Sequence, residues 1–137
     1  MIFHRFIPIL LFFLISEINA ENLTHFNFKE KTNCRHQNYW FYQIHYYAIK
    51  SHLIPDEFLG TTGYHFFVGE NHEEFTLKTG QNGDKSGFYL IKAHIYHNCT
   101  SNSEEVYKDH LFRNLPVERT TYDLRLCLNF DEPIVNC

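Results

Sequence analysis

The histidines are the residues of this chain with the most evident capacity for chemistry, because there are 10 of them among 137 residues. A zinc site needs nitrogen or sulfur ligands that converge at a fixed geometry. His94 and His97 lie three positions apart in a strand-like run, so they point to opposite faces and cannot share one ion. The same parity separates His45 from His52. Because the sequence has no His-x-His and no Cys-x-x-Cys pattern, we predict no metal site and no cofactor.

Catalytic motifs are the second kind of chemistry to consider. The sequence has neither a Gly-x-Ser-x-Gly elbow nor a His-Glu-x-x-His helix. The acidic pair Glu73-Glu74 lies beside the turn residues Asn71 and His72, where solvated charge is the simplest interpretation. We therefore predict no catalytic residues and a protein that is not an enzyme.

The four cysteines, Cys34, Cys99, Cys127 and Cys137, all lie after residue 20. An even number of cysteines in an exported chain predicts two disulfides. Four cysteines allow three pairings, and the spacing does not choose among them.

The N-terminal segment has the pattern of a secretory signal peptide. His4 and Arg5 precede the apolar run 6–15, and Ala20 suits the last position before cleavage. The run is about half the roughly 20 apolar residues that a spanning helix needs. We therefore expect residues 1–20 to be cleaved, and residues 21–137 to form one secreted, extracellular domain that does not span a membrane.

Two Asn-x-Thr sequons, which begin at Asn22 and Asn98, are candidate glycosylation sites in that compartment.

The formal net charge of −4 gives no electrostatic reason to expect nucleic acid as a partner.

Period-two alternation indicates the fold class. In the run 122–130, Tyr122, Leu124, Leu126, Leu128 and Phe130 take one face and Cys127 takes the other, as in a half-buried strand. Eight such short segments separated by polar turns predict an all-β sandwich or barrel. The runs 39–49 and 88–96 are too apolar for clean alternation, which predicts central strands covered on both faces.

The aromatic run at 39–47 has two faces of its own. We expect Trp40 to face the core. Tyr39, Phe41 and Tyr47 lie on the alternate face and are the candidate binding surface.

A set of landmarks runs in a characteristic order along the chain: Asp56-Glu-Phe-Leu59, Thr62-Gly63, the strand ending His97-Asn-Cys99, the pair Tyr122-Asp123 and the last residue, Cys137. In this order the chain resembles the nematode transthyretin-like family of secreted proteins, over about residues 26–137. It departs from the family at 35–38, which replace a Gly-Lys-Pro turn, and is similar to a divergent member.

The resemblance implies a transthyretin-type, immunoglobulin-like Greek-key sandwich of two four-stranded sheets. It implies the disulfides Cys99–Cys137 and Cys34–Cys127, since in that topology the last two strands are antiparallel neighbours. It also implies a structural motif of His97, Tyr122 and Asp123, in which the His97 ring bonds to the backbone or to Tyr122.

The function that the resemblance implies is binding: a secreted adaptor, monomeric by preference, that acts through its surface on an extracellular protein or a cell-surface lipid such as phosphatidylserine. A carrier of a small apolar ligand is the alternative. A 5-hydroxyisourate hydrolase is disfavoured, because the Tyr-Arg-Gly-Ser terminus of those enzymes is absent from a chain that ends at Cys137.

Overall fold

The computed structural model describes residues 24–36, 38–50, 53–69, 73–81, 87–117 and 120–130, and the regular elements within these ranges are all strands. The strands are β1 (Thr24–Asn33), β2 (Tyr39–Ala48), β3 (Glu57–Thr61), β4 (His65–Val68), β5 (Glu73–Gln81), β6 (Phe88–His97), β7 (Val106–Pro116) and β8 (Thr121–Asn129).

The strands form two sheets. One has the order β5-β1-β8, with β5 antiparallel and β8 parallel to β1. The other has the order β3-β2-β6-β7, with β4 also paired to β2, and its neighbours are all antiparallel. The all-β, two-sheet prediction is therefore confirmed.

Strands β3 and β4 are two parts of one interrupted edge strand. Both run antiparallel to β2 on the same side, with β3 opposite residues 45–48 and β4 opposite residues 39–42. Thr62 spans the interruption, since its N–H donates to Ile44 O and its Oγ1 accepts from Ile44 N–H, each at 3.0 Å. Gly63 follows at φ 74°, a left-handed conformation that glycine adopts without steric cost. This break is one reason why the sheets contain three and five strands rather than the expected four and four.

The core lies between the two sheets and is built from alternate residues. Along β8 and just beyond it, Tyr122, Leu124, Leu126, Leu128 and Phe130 are all buried, as the alternation predicted. They face the buried side chains of the other sheet, which include Trp40, Tyr42, Ile44, Tyr46, Ile91 and Ile95. At roughly 2 kcal/mol for each large apolar side chain, this burial is the main source of stability.

The observed disulfide joins Cys34 to Cys99, with Cα atoms 5.9 Å apart. The pairings Cys99–Cys137 and Cys34–Cys127 were therefore wrong. Their basis, antiparallel pairing of the last two strands, does not hold, because β7 and β8 belong to different sheets. Instead β1 and β6 end on facing sheets. Cys34 directly follows β1 and Cys99 lies two residues beyond β6, so the two cysteines come within bonding distance.

Cys127 is also disulfide-bonded. Its position on the outward face of β8 agrees with the prediction, since it is half-exposed between the buried Leu126 and Leu128. Cys137, Asn22 and the predicted signal peptide at 1–20 lie outside the described residues.

Candidate binding face

The outer side of the five-stranded sheet carries two clusters of aromatic side chains, which together we call the aromatic face. The first is centred on Phe41 of β2, whose ring centroid lies 5.1 Å from that of Tyr96 and 5.9 Å from those of Tyr64 and Phe66. Tyr96 in turn stacks on Tyr107 of β7, with centroids 4.6 Å apart. The register explains the assembly, because Phe41 is paired with Phe66 and Tyr96 with Tyr107 across the strands.

A second cluster lies toward the other end of the same face. Tyr47 packs on Phe58 of β3 at 5.6 Å between centroids, and His45 lies 6.0 Å from the same phenylalanine ring. The Lys92 ammonium sits 5.4 Å from the centroid of the Tyr47 ring, in cation–π range. This end of the aromatic face therefore adds a cation and an imidazole to its rings.

An open groove of about 330 Å³ lies at the end of the face near the start of β2. Its outward-facing wall is formed by Tyr39, Phe41, Phe66, Val68 and Asn98. Tyr39, Phe66 and Val68 are 74%, 77% and 70% exposed, which is unusual for apolar side chains that adjoin one another.

The charged groups of the face are paired with one another around the rings. Lys92 Nζ lies 2.9 Å from Asp56 Oδ2, and His94 Nδ1 lies 2.5 Å from Asp109 Oδ1. The Asp56 bond raises the pKa of Lys92 above its ordinary value. The Tyr96 hydroxyl donates to Glu105, and this bond raises the pKa of Tyr96 to about 12. The rings of the face are thus bordered by carboxylates that each bond a neighbouring side chain.

The sequence identified part of this face. Tyr39, Phe41 and Tyr47 lie opposite the buried Trp40, as predicted, and Phe41 and Tyr47 are each at the centre of a cluster. The rings on β3, β4 and β7 were missed. A sign of these rings was present in the runs 39–49 and 88–96, which contain more apolar residues than a half-buried strand needs. Such an excess is also typical of a strand that is covered on both faces. The outer sides of β2 and β6 are in fact half-exposed and aromatic.

The predicted motif residues do not form one cluster. His97 is fully buried and packs on Phe130, with ring centroids 4.2 Å apart. Tyr122 lies at the start of β8, about eight residues or roughly 26 Å of strand from Phe130. Its hydroxyl donates to Pro116 O, and Asp123 accepts from Asn27 Nδ2 at 2.9 Å.

The expected hydrogen bond of the His97 ring was therefore wrong. Both ring nitrogens lack a hydrogen-bond partner in the described part of the chain. Desolvation, with the nearby positive charge of Lys108, lowers the pKa of His97 to about 4, so the ring is neutral.

The core also contains a buried carboxyl that the sequence did not single out. Glu30 on β1 is fully buried and accepts a hydrogen bond from the Tyr46 hydroxyl. Burial raises the pKa of Glu30 to about 7, and that of Tyr46 well above its ordinary value. Since Glu30 is enclosed between the sheets, it has no access to a substrate.

Among the described residues, no group of three or more histidine, cysteine, aspartate or glutamate side chains converges to hold a metal ion. The same residues contain no helix that is long and apolar enough to cross a membrane.

The comparisons with known proteins identify no relative: no family model, no curated protein and no solved structure matches the chain.

Proposed function

We propose that the protein is a secreted, extracellular binding protein of the transthyretin-like type that engages a partner through its aromatic face. The observation that carries the proposal is the presence of two clusters of partly or fully exposed rings on one side of the five-stranded sheet, around Phe41 and around Tyr47. Large apolar patches are rare on the surfaces of proteins that bind nothing, and tyrosine and phenylalanine are enriched where proteins meet.

The chemistry of the face supports recognition rather than catalysis. The rings stand on a sheet, so they are held at fixed spacing and a partner need not immobilise them. The borders of the face carry the pairs Lys92–Asp56 and His94–Asp109, which favour orientation over long-range attraction. An extracellular protein or a cell-surface lipid with an apolar region fits this description.

Other features support the proposed export and the proposed transthyretin-type fold. The signal-like segment 1–20 and the Cys34–Cys99 bridge suit an oxidising, extracellular compartment.

The chain changes sheet between β1 and β2, between β4 and β5, between β5 and β6 and between β7 and β8. Such interleaving supports a transthyretin-type Greek key over a simple meander.

The experiment compares three forms of the secreted protein: wild type, Tyr47→Ser with Phe58→Ser, and Leu53→Ser as the control. Leu53 is 95% exposed but lies outside the face. Each form is immobilised and exposed to extracellular extract, and separately to vesicles of phosphatidylcholine with or without phosphatidylserine. We expect a partner retained by wild type and Leu53→Ser, and lost at least tenfold by the double variant. Equal retention by all three forms would remove the face from the proposal.

A carrier of a small apolar ligand is the alternative, and the groove beside Tyr39 is the observation in its favour. A transthyretin-like carrier is a tetramer with a channel between subunits. A native mass that corresponds to a monomer would exclude that form of the alternative.

A further inference from the structure

We propose that Asn98 carries an N-linked glycan and that its first N-acetylglucosamine lies in the groove formed by Tyr39, Phe41, Phe66 and Val68. The inference rests on the proposed export, because N-glycans are added in the secretory pathway. It identifies which end of the aromatic face the chain's own glycan covers, and which end is left for a partner.

The hydrogen bonds of Asn98 fix the direction of the attachment. Its Oδ1 accepts from Phe41 N–H at 2.8 Å, and its backbone N–H donates to Phe41 O at 3.4 Å. A backbone N–H can only donate, so the amide atom that faces it must be the oxygen. Nδ2, the atom to which a glycan is linked, therefore points away from Phe41 N–H. Since glycosylation leaves Oδ1 unchanged, the attachment keeps this hydrogen bond.

The location of Asn98 places the sugar at the groove. Asn98 is half-exposed and forms part of the groove wall. The next residue, Cys99, is buried in the inter-sheet disulfide, which anchors the backbone of the sequon. A sugar linked to Nδ2 thus starts from a defined point beside Phe41.

The chemistry of the groove suits a pyranose. One side of the sugar ring presents polarised C–H groups, which pack on the negative face of an aromatic ring. Tyr39, Phe41 and Phe66 supply such rings, and Val68 offers an apolar contact to the N-acetyl methyl group. The volume of about 330 Å³ falls within the range of small-ligand sites. Covering these side chains also accounts for three adjacent apolar residues that would otherwise face water.

The occupied groove leaves the second cluster free. The rings of Tyr47 and Phe58, with His45 and Lys92 beside them, lie toward the other end of β2, where β3 forms the edge. A partner would then be met at this end.

The first test measures the modification. The full chain is produced in a eukaryotic secretory host as the Asn22→Gln variant, which retains only the sequon at Asn98. We expect an intact mass with one N-glycan that peptide N-glycosidase F removes. Thr100→Ser should keep the glycan and Thr100→Ala should abolish it. Secreted protein with no glycan on Asn98 would overturn the inference.

A parallel version carries a leader of known export in place of residues 1–20. If the chain is exported only with that leader, the export part of the proposed function fails, while the test of Asn98 still gives its answer.

The second test measures whether the first sugar packs in the groove. Trimming with endoglycosidase H leaves one N-acetylglucosamine on Asn98. We expect this form to melt about 4 °C or more above the same Asn22→Gln chain produced in bacteria without a glycan, and the difference to disappear when Tyr39→Ala and Phe66→Ala are added. Leu53→Ala is the control, and it should keep the difference. A shift of equal size with and without the two rings would place the sugar elsewhere.

Discussion

At the scale of single residues, the core contains two ionisable groups whose pKa values are displaced in opposite directions. Glu30 has a pKa of about 7 instead of 4.5, and His97 has a pKa of about 4 instead of 6.5, each chiefly because burial disfavours the charged form. Glu30 therefore adds stability at acidic pH that is lost as the pH rises from 4.5 through 7. His97 adds stability above pH 6.5 that is lost as the pH falls through 4. Between pH 4.5 and 6.5, the stability contributed by Glu30 falls with rising pH while that contributed by His97 increases, so the two effects oppose each other.

The variant Glu30→Gln should reveal how the titration of His97 alone changes the stability with pH. The amide of this variant has no charge to gain, so its stability should fall by about 3 kcal/mol as the pH drops from 6.5 to 4. The measurement is urea unfolding at several pH values, followed by the fluorescence of Trp40, the only tryptophan. A variant with the same pH profile as wild type would contradict the role of Glu30.

His97→Leu should show the opposite profile. Its stability should be highest near pH 4.5 and fall by about 3 kcal/mol toward pH 7.5, because only Glu30 then titrates. At neutral pH the substitution should cost little or stabilise by about 1 kcal/mol, since the ring nitrogens that it removes have no partner in the described part of the chain. The same unfolding series measures both effects. A loss of several kcal/mol at pH 7 would show that the ring has a partner after all.

At the scale of elements, the most consequential contact is the bridge between the ends of β1 and β6. These strands lie in different sheets, so the Cys34–Cys99 bond fastens one sheet to the other near the start of β2. At the start of β8, the Tyr122 hydroxyl bonds Pro116 O at the end of β7 and closes the connection between the sheets. A tyrosine with a similar role occurs at a corner of many immunoglobulin-like sandwiches.

Removing the bridge by Cys34→Ala with Cys99→Ala should destabilise the protein by about 4 kcal/mol, given the sequence separation of 65 residues. Urea unfolding against wild type measures the loss, and Leu53→Ser is the surface control. Peptide mapping without reduction should recover Cys34 linked to Cys99. A peptide that links Cys99 to any other cysteine would contradict the fold as described.

At the scale of the whole molecule, the sheet edges bear on assembly. Strand β7 lies at the edge of its sheet and carries Lys108, Asp109, Arg113 and Pro116, residue types that discourage pairing with a second chain. Strand β5, at one edge of the other sheet, contacts β3 through the Thr79 hydroxyl, which donates to Leu59 O at 2.9 Å. These features favour a monomer.

Sedimentation equilibrium of the purified protein should therefore give the mass of one chain over a wide range of concentrations. Replacing Lys108 and Arg113 by valine should introduce concentration-dependent association, because the edge then loses its charges. A wild-type tetramer would contradict this prediction and favour the carrier alternative.

Local patterns in the sequence determined much of this protein. Alternation determined the all-β class, the inward set from Tyr122 to Phe130 and the opposite facing of Trp40 and Phe41, because the side-chain period of a strand is fixed at two. The even number of cysteines predicted disulfides, but it did not determine which cysteines pair.

Tertiary structure decided what depends on which strands become neighbours. The parallel pairing of β8 with β1 and the placement of β6 in the facing sheet determined that Cys34 meets Cys99. The pairing of β2 with β3, β4 and β6, and of β6 with β7, assembled the rings into one face, and the packing of the two sheets enclosed Glu30 and His97 in the core. Contacts between residues far apart in the chain depend on which strands become neighbours, and the alternation within a single strand is compatible with many partners.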